Sequence, residues 1–194
     1  MNRKSICVYC ASSDRIDAAF FQEAQTLGRL IAQSGITLIN GAGSMGLMRA
    51  TTDACLEAGG TAIGIIPTFM IRSGWCHTRM TEIVGTPDMH LRQQKMAEMS
   101  DAAIVLPGGC GTFAELMELI VWKQLGLYLK PIVILNVNGY FDALLRMMQE
   151  AADKNFLRKQ HTKLWCVADN AEEALDLALS TPLWDTSIQR FTAK

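Results

Sequence analysis

A chain of 194 residues that is 49% hydrophobic is long enough to bury one sizeable core, and we expect a single domain over residues 1–194. Its 18 Lys and Arg against 19 Asp and Glu, a formal net charge of -1 with no basic run, exclude the electrostatic footprint that nucleic acid or an anionic membrane surface demands. Small molecules and other proteins remain as partners.

The start is briefly basic, but its apolar run is too short and too strand-like for a signal peptide, which points to a cytoplasmic protein. From there, short β-rich runs alternate with amphipathic stretches. Ser5–Ser12 reads as a strand followed by a helix over Ile16–Ser34, and Ile36–Asn40 as a strand followed by a helix over Met45–Ala58. Thr61–Pro67 is a third strand; Pro67–Asp88 then has no clean periodicity and reads as a lid or binding segment. Ala102–Gly109 leads into a helix over Thr112–Leu125, Pro131–Val137 into Tyr140–Ala152, and Leu164–Asp169 into Ala171–Ser180. Gly35 and the pair Gly59 and Gly60 stand where helix C-caps belong. Strands apolar nearly throughout are covered on both faces, so the fold class is α/β: a Rossmann-like, doubly wound, mostly parallel sheet with helices on both faces. Around Leu116 to Leu129 the apolar residues exceed one helical stripe, which fits either a homodimer surface or a helix buried within its own subunit. Glu118, Lys123 and Lys130 interrupt this stretch too often for a membrane span.

The six cysteines read as reduced thiols. Cys7 and Cys10 match C-x-x-C but lie in a strand, where residues three apart point to opposite faces, so no redox site is expected. The three histidines, His77, His90 and His161, have no metal-ligand spacing, and no metal is expected.

Doubly wound sheets bind ligands at the carboxyl ends of their strands. That singles out the loops Cys10–Asp14, Gly41–Gly46, Thr68–His90 and Pro107–Thr112. Gly41 to Gly46 is a literal G-x-G-x-x-G, yet it is not the first strand-helix turn, and the next strand ends in Pro67 without the acid a dinucleotide ribose requires. No nicotinamide or flavin cofactor is expected; the loop is either a tight turn or a nucleotide-contacting loop through Gly43 and Ser44. Gly108, Gly109 and Gly111 form the stronger signal. They leave backbone N–H groups open at a helix start, beside Cys110 and the Thr112 hydroxyl, an arrangement suited to a phosphate monoester. There is no Walker A lysine. Glu115 lies one turn into that helix and Glu118 three residues further, a placement that suits stabilisation of an oxocarbenium-like transition state. Thr112 and Glu115 also spell a capping box, in which the carboxylate would serve only its own helix. Arg92 is the nearest cation in chain order, and its alternative is a solvated helix arginine.

Asp88–Leu145 resembles the heart of the LONELY GUY proteins, cytokinin-activating nucleoside 5′-monophosphate phosphoribohydrolases. Their pattern P-G-G-x-G-T-x-x-E is met in full by Pro107 to Glu115, and the stretches Val8–Ser13 and Gly41–Met48 are similar to the family's first two loops. Met89, His90 and Arg92 keep the M-H-x-R-K pattern, but its lysine position holds Gln93, and Gly74 stands where plant members carry a glutamate. The resemblance implies Arg92 and Glu115 as the catalytic pair, with Gly108, Gly109, Gly111 and Thr112 holding the 5′-phosphate. Cys110, Met89, Glu118, Ser12, Gly43 and Ser44 complete the expected substrate-binding set. The implied reaction is hydrolysis of the N-glycosidic bond of AMP or an N6-modified nucleotide to free base and ribose 5-phosphate, in a homodimer and without a cofactor. The family's older label, lysine decarboxylase, would need a Schiff-base lysine for pyridoxal phosphate that nothing marks here. The alternative reading is a non-catalytic nucleotide sensor or carrier.

Overall fold

A computed structural model describes residues 4–185. Seven parallel strands form one sheet in the order β4-β3-β2-β1-β5-β6-β7. The strands are β1 Ser5–Tyr9, β2 Thr37–Asn40, β3 Thr61–Pro67, β4 Glu82–Thr86, β5 Ala102–Val105, β6 Ile132–Leu135 and β7 Cys166–Ala168. The helices are α1 Ala18–Gln33, α2 Gly46–Glu57, α3 Thr68–Arg72, α4 Met89–Met99, α5 Cys110–Leu125, α6 Asp142–Asp153 and α7 Ala171–Ser180.

Period-two alternation along β1 sorts the core into two layers. Ile6 and Val8 pack with Leu27 and Ile31 of α1, Leu47 of α2 and Ala174 of α7. Cys7 and Tyr9 pack on the other face with Met96 of α4, Leu119 of α5 and Met148 of α6. Cys7 and Cys10 therefore sit in different layers, and all six cysteines are free. Burial pushes the Cys7 thiol up to about 12. Asp17, Asp88 and Asn170 cap α1, α4 and α7 through side-chain oxygens that accept a backbone N–H. Gly35 and Gly59 take the left-handed φ of +68° and +78° that helix ends favour. Among the described residues no helix is long and apolar enough to cross a membrane.

Two expectations are corrected. The segment Pro67–Asp88 is not a loop: it holds α3 and the edge strand β4, which pairs with β3 from Ile63 opposite Glu82 to Pro67 opposite Thr86. Glu82, Ile83 and Gly85 are exposed, so this strand lacks the buried run that marks the central ones. The second correction is that α5 begins at Cys110, two residues before the expected Thr112, with Gly109 as its N-cap.

Candidate active site

The sheet order reverses between β1 and β5: β2 continues from β1 on one side, and β6 from β5 on the other. At such a switch point the two loops diverge and leave a crevice. Here the Ala11 N–H donates to the Pro107 carbonyl at 3.0 Å and ties the two strand exits together. Above them lies a cleft of about 270 Å³. Cys10, Ala11 and Ser12, which follow β1, line one side, and Gly109 with Cys110, Gly111, Thr112 and Glu115 of α5 another. Met89 and Arg92 of α4, Met48 of α2 and Met70 of α3 complete it. A larger apolar groove of about 780 Å³ separates α4 from α5, but it does not contain the helix start or the ion pair described next.

Helix geometry leaves the N–H groups of Cys110, Gly111 and Thr112 without an intrahelical carbonyl. Phe113 is the first residue of α5 to find one, donating to Gly109 at 3.0 Å. A Cβ on Gly109 or Gly111 would meet nothing within 4 Å, so both face open space. Gly108 is the opposite case: a Cβ there would overlap the Thr112 hydroxyl and lie 2.7 Å from Thr112 Cβ and 3.0 Å from the Ala11 nitrogen. The glycine at 108 thus lets Thr112 fold back over the turn, while those at 109 and 111 leave the helix end accessible to an anion.

Thr112 is the third residue of α5, not its cap, so the capping-box alternative is set aside. Glu115 turns into the cleft instead, and its Oε1 accepts from Arg92 Nη1 at 2.6 Å. Arg92 Nε donates to the Ile65 carbonyl at 3.2 Å. With 6% and 8% of their surfaces exposed, Arg92 and Glu115 are a desolvated pair, and the solvated-arginine alternative is also set aside. Burial pushes the Glu115 carboxyl up; Arg92 opposes this by charge and hydrogen bond, and the Glu118 charge adds to the rise.

The G-x-G-x-x-G loop serves a different purpose. The Ala42 N–H donates to Asn40 Oδ1 at 2.9 Å, Ser44 N–H to the Trp75 carbonyl at 3.0 Å, Gly46 N–H to Asp14 Oδ1 at 2.9 Å, and Leu47 N–H to the Ala11 carbonyl at 2.9 Å. These amides are occupied by protein acceptors and do not form a pyrophosphate cradle. Gly43 and Ser44 lie outside the cleft lining. The role that sequence reasoning missed belongs to Gly41: a Cβ there would overlap Arg92 Nη2 and come within 3.1 Å of its Cζ. No local pattern marks this, because the crowding atom comes from α4.

Of the expected residues, the structure brings together Ser12, Met89, Arg92, Gly109, Cys110, Gly111, Thr112 and Glu115, with Gly108 directly behind. Glu118 faces the neighbouring groove beside His90 and Gln94; burial raises its carboxyl and His90 pulls it back. Met48, Met70, Cys10 and Ala11 were not named individually as site residues, though Cys10, Ala11 and Met70 lie in loops singled out for ligand binding. Gln93 is buried and its Nε2 has no hydrogen-bond partner, while Gly74 follows α3 at φ +75°.

Residues 48–178 match the family described as "Possible lysine decarboxylase". Two cytokinin riboside 5′-monophosphate phosphoribohydrolases of Arabidopsis thaliana are 38% identical over 88% of this chain and 75% of the relative, and 34% identical over 97% and 93%. The chain belongs to the LONELY GUY family. Solved structures share its fold. The molybdenum cofactor binding protein of Rippkaea orientalis superposes with a TM-score of 0.72 at 23% identity over 93% of this chain and 98% of that one. A Moco carrier protein of Chlamydomonas reinhardtii gives 0.68 at 22% identity over 90% and 94%. In the LONELY GUY pattern P-G-G-x-G-T-x-x-E, four residues that line this cleft are thus the two open glycines, Gly109 and Gly111, the threonine and the glutamate of the motif.

Proposed function

We propose that the protein hydrolyses the N-glycosidic bond of a purine nucleoside 5′-monophosphate, AMP or an N6-modified analogue, releasing free base and ribose 5-phosphate. The observation that carries this reading is the Arg92–Glu115 pair, buried in the same cleft as the N-terminus of α5, whose first amides have no intrahelical carbonyl. The phosphate docks on the amides of Cys110, Gly111 and Thr112, with the Thr112 hydroxyl as a further donor. Glu115, one turn further along the helix, then faces the ribose. As the bond from C1′ to the base nitrogen breaks, its electron pair leaves with the base and positive charge builds on the sugar. The Glu115 carboxylate stabilises that charge and orients a water whose oxygen bonds to C1′; the water's proton is delivered to the departing base. Arg92 holds Glu115 ionised and aimed. The relatives' printed activity agrees with this chemistry.

Incubation with AMP and with an N6-isopentenyl analogue should release free base, detected by chromatography. Glu115→Gln should lower turnover about a thousandfold with the fold and ribose 5-phosphate binding retained. Turnover within a few-fold of the wild type would remove Glu115 from the reaction. A second reading, nucleotide binding with little turnover, is favoured by Gln93, whose buried amide stands at the family's lysine position. Nucleotide binding without base release would select it. We also infer a homodimer through the α4–α5 face, where Val121 and Leu125 are exposed on α5 beside Leu127 and the apolar groove.

A further inference from the structure

The peptide between Gly108 and Gly109 joins two residues without side chains, so its plane turns with little steric resistance. Its orientation nevertheless sets the backbone that enters α5, because Gly109 is the N-cap of that helix. In a planar trans peptide the carbonyl of one residue and the N–H of the next point in opposite directions. Whatever fixes the Gly108 carbonyl therefore aims the Gly109 N–H. In this structure the Gly108 carbonyl accepts from the Tyr140 hydroxyl at 2.5 Å.

Tyr140 is itself held from several sides. It sits in the exit turn of β6, the strand beside β5. Asn136 Oδ1 accepts from the Phe141 N–H at 2.7 Å, Asn136 Nδ2 donates to Asp142 Oδ1 at 2.8 Å, and the Asn136 N–H donates to the Ala168 carbonyl at 2.8 Å. Asn138 and Gly139 take the left-handed φ of +53° and +71°, which closes the turn tightly. The Tyr140 ring meets Phe20 and Phe141 edge-on, at centroid distances of 5.8 and 5.0 Å. Although Tyr140 as a residue is 41% exposed, its hydroxyl is directed onto a protein carbonyl.

We infer that Tyr140 is a positioning residue: its hydroxyl locks the Gly108–Gly109 peptide so that the start of α5 is pre-set for the substrate's 5′-phosphate. The inference rests on the proposed reading of the cleft and adds a residue that does not line it. Tyr140 acts through Gly108 and contributes to phosphate affinity, not to bond cleavage.

The test is Tyr140→Phe, which removes one oxygen and keeps the ring. Loss of one net hydrogen bond corresponds to about a tenfold effect. The KM for AMP should rise about tenfold, and the affinity for ribose 5-phosphate by calorimetry should fall by the same factor. We expect kcat within about threefold, adenosine inhibition unchanged and Tm within about 2 °C. A merely structural role would shift Tm and adenosine inhibition together with the rest. Phe20→Leu, which loosens the ring packing but keeps the hydroxyl, should leave the ribose 5-phosphate affinity near the wild-type value; a larger loss there than in Tyr140→Phe overturns the inference. So does a Tyr140→Phe protein that binds ribose 5-phosphate as tightly as the wild type, and in that case the enzymatic reading stands. A wild type that binds ribose 5-phosphate but releases no base from AMP refutes the enzymatic reading, and the calorimetric ratio still decides for or against Tyr140. A wild type that binds no ribose 5-phosphate overturns both.

Discussion

Gly41→Ala separates the two meanings a glycine-rich loop can have. Gly41 has no left-handed φ, so alanine fits its backbone and should reduce the entropy of the unfolded chain slightly. The added methyl, however, would overlap Arg92 Nη2 and sit 3.1 Å from Arg92 Cζ and 3.3 Å from Met48 Sδ. To recover an ordinary separation of about 3.5 Å, the guanidinium must retreat by roughly 1 Å or more. That movement draws Nη1 away from Glu115, whose hydrogen bond is only 2.6 Å long, and from the Ile65 carbonyl that fixes Nε. A displacement of about 1 Å in a catalytic group costs on the order of a hundredfold in rate. We therefore expect kcat for AMP to fall about a hundredfold, with ribose 5-phosphate affinity unchanged and a stability loss of about 1–3 kcal/mol from overpacking. Steady-state kinetics, calorimetry and thermal unfolding read the three quantities on one preparation. If kcat is preserved and phosphate affinity collapses, the loop contacts the phosphate after all and the account of Gly41 as a space-maker for Arg92 is refuted.

The pH dependence follows from Glu115. Its carboxyl is raised above 4.5 by burial, and the proposed mechanism needs it ionised, so kcat/KM should climb with pH through an acid limb above that value; Glu118→Gln, which removes a charge that raises Glu115, should move the limb down. An acid limb at or below 4.5 would contradict this assignment. For the inferred homodimer, Leu127→Asp is the direct probe: Leu127 is 75% exposed in the single chain, so the change should leave Tm nearly unaltered at low concentration while shifting sedimentation from dimer to monomer. Sedimentation as a dimer in both proteins would place the interface elsewhere.

The central strands and the helices after them are legible because they are buried: β1, β2, β5 and β6 are buried along their full length, and an apolar run bounded by turn residues marks each. β4 carries no such mark, since an exposed edge strand is specified by its neighbour β3 and not by its own pattern. Within the site, Gly109, Gly111, Thr112 and Glu115 could be read because one local motif contains them. Arg92 could be suspected only as a nearby cation, and its burial depends on how α4 packs over β3 and the Gly41 turn. Met48, Met70 and Tyr140 come from three separate elements; Met70 lies in the segment read as a lid or binding segment and Met48 closes a stretch similar to a family loop, but no local pattern says which side chains converge on α5.

The stability of the site and its chemistry pull in opposite directions at Glu115. Because its folded carboxyl is raised, folding favours the protonated form; the stability contribution is full below the ordinary carboxyl value and is lost as pH rises from there through the raised folded one. The proposed reaction needs the ionised form that folding disfavours. Arg92 narrows that conflict, and it can do so only as a buried cation itself desolvated against the Ile65 carbonyl. Gly41 supplies the room for it. In the proposed reaction the two glycine loops thus act by unlike means: the loop at 108–111 leaves amides open at the start of α5, whereas in the loop at 41–46 the amides of Ala42, Ser44 and Gly46 are occupied by the protein and Gly41 contributes space. Glycine content alone cannot tell such loops apart; whether their N–H groups already have protein acceptors can.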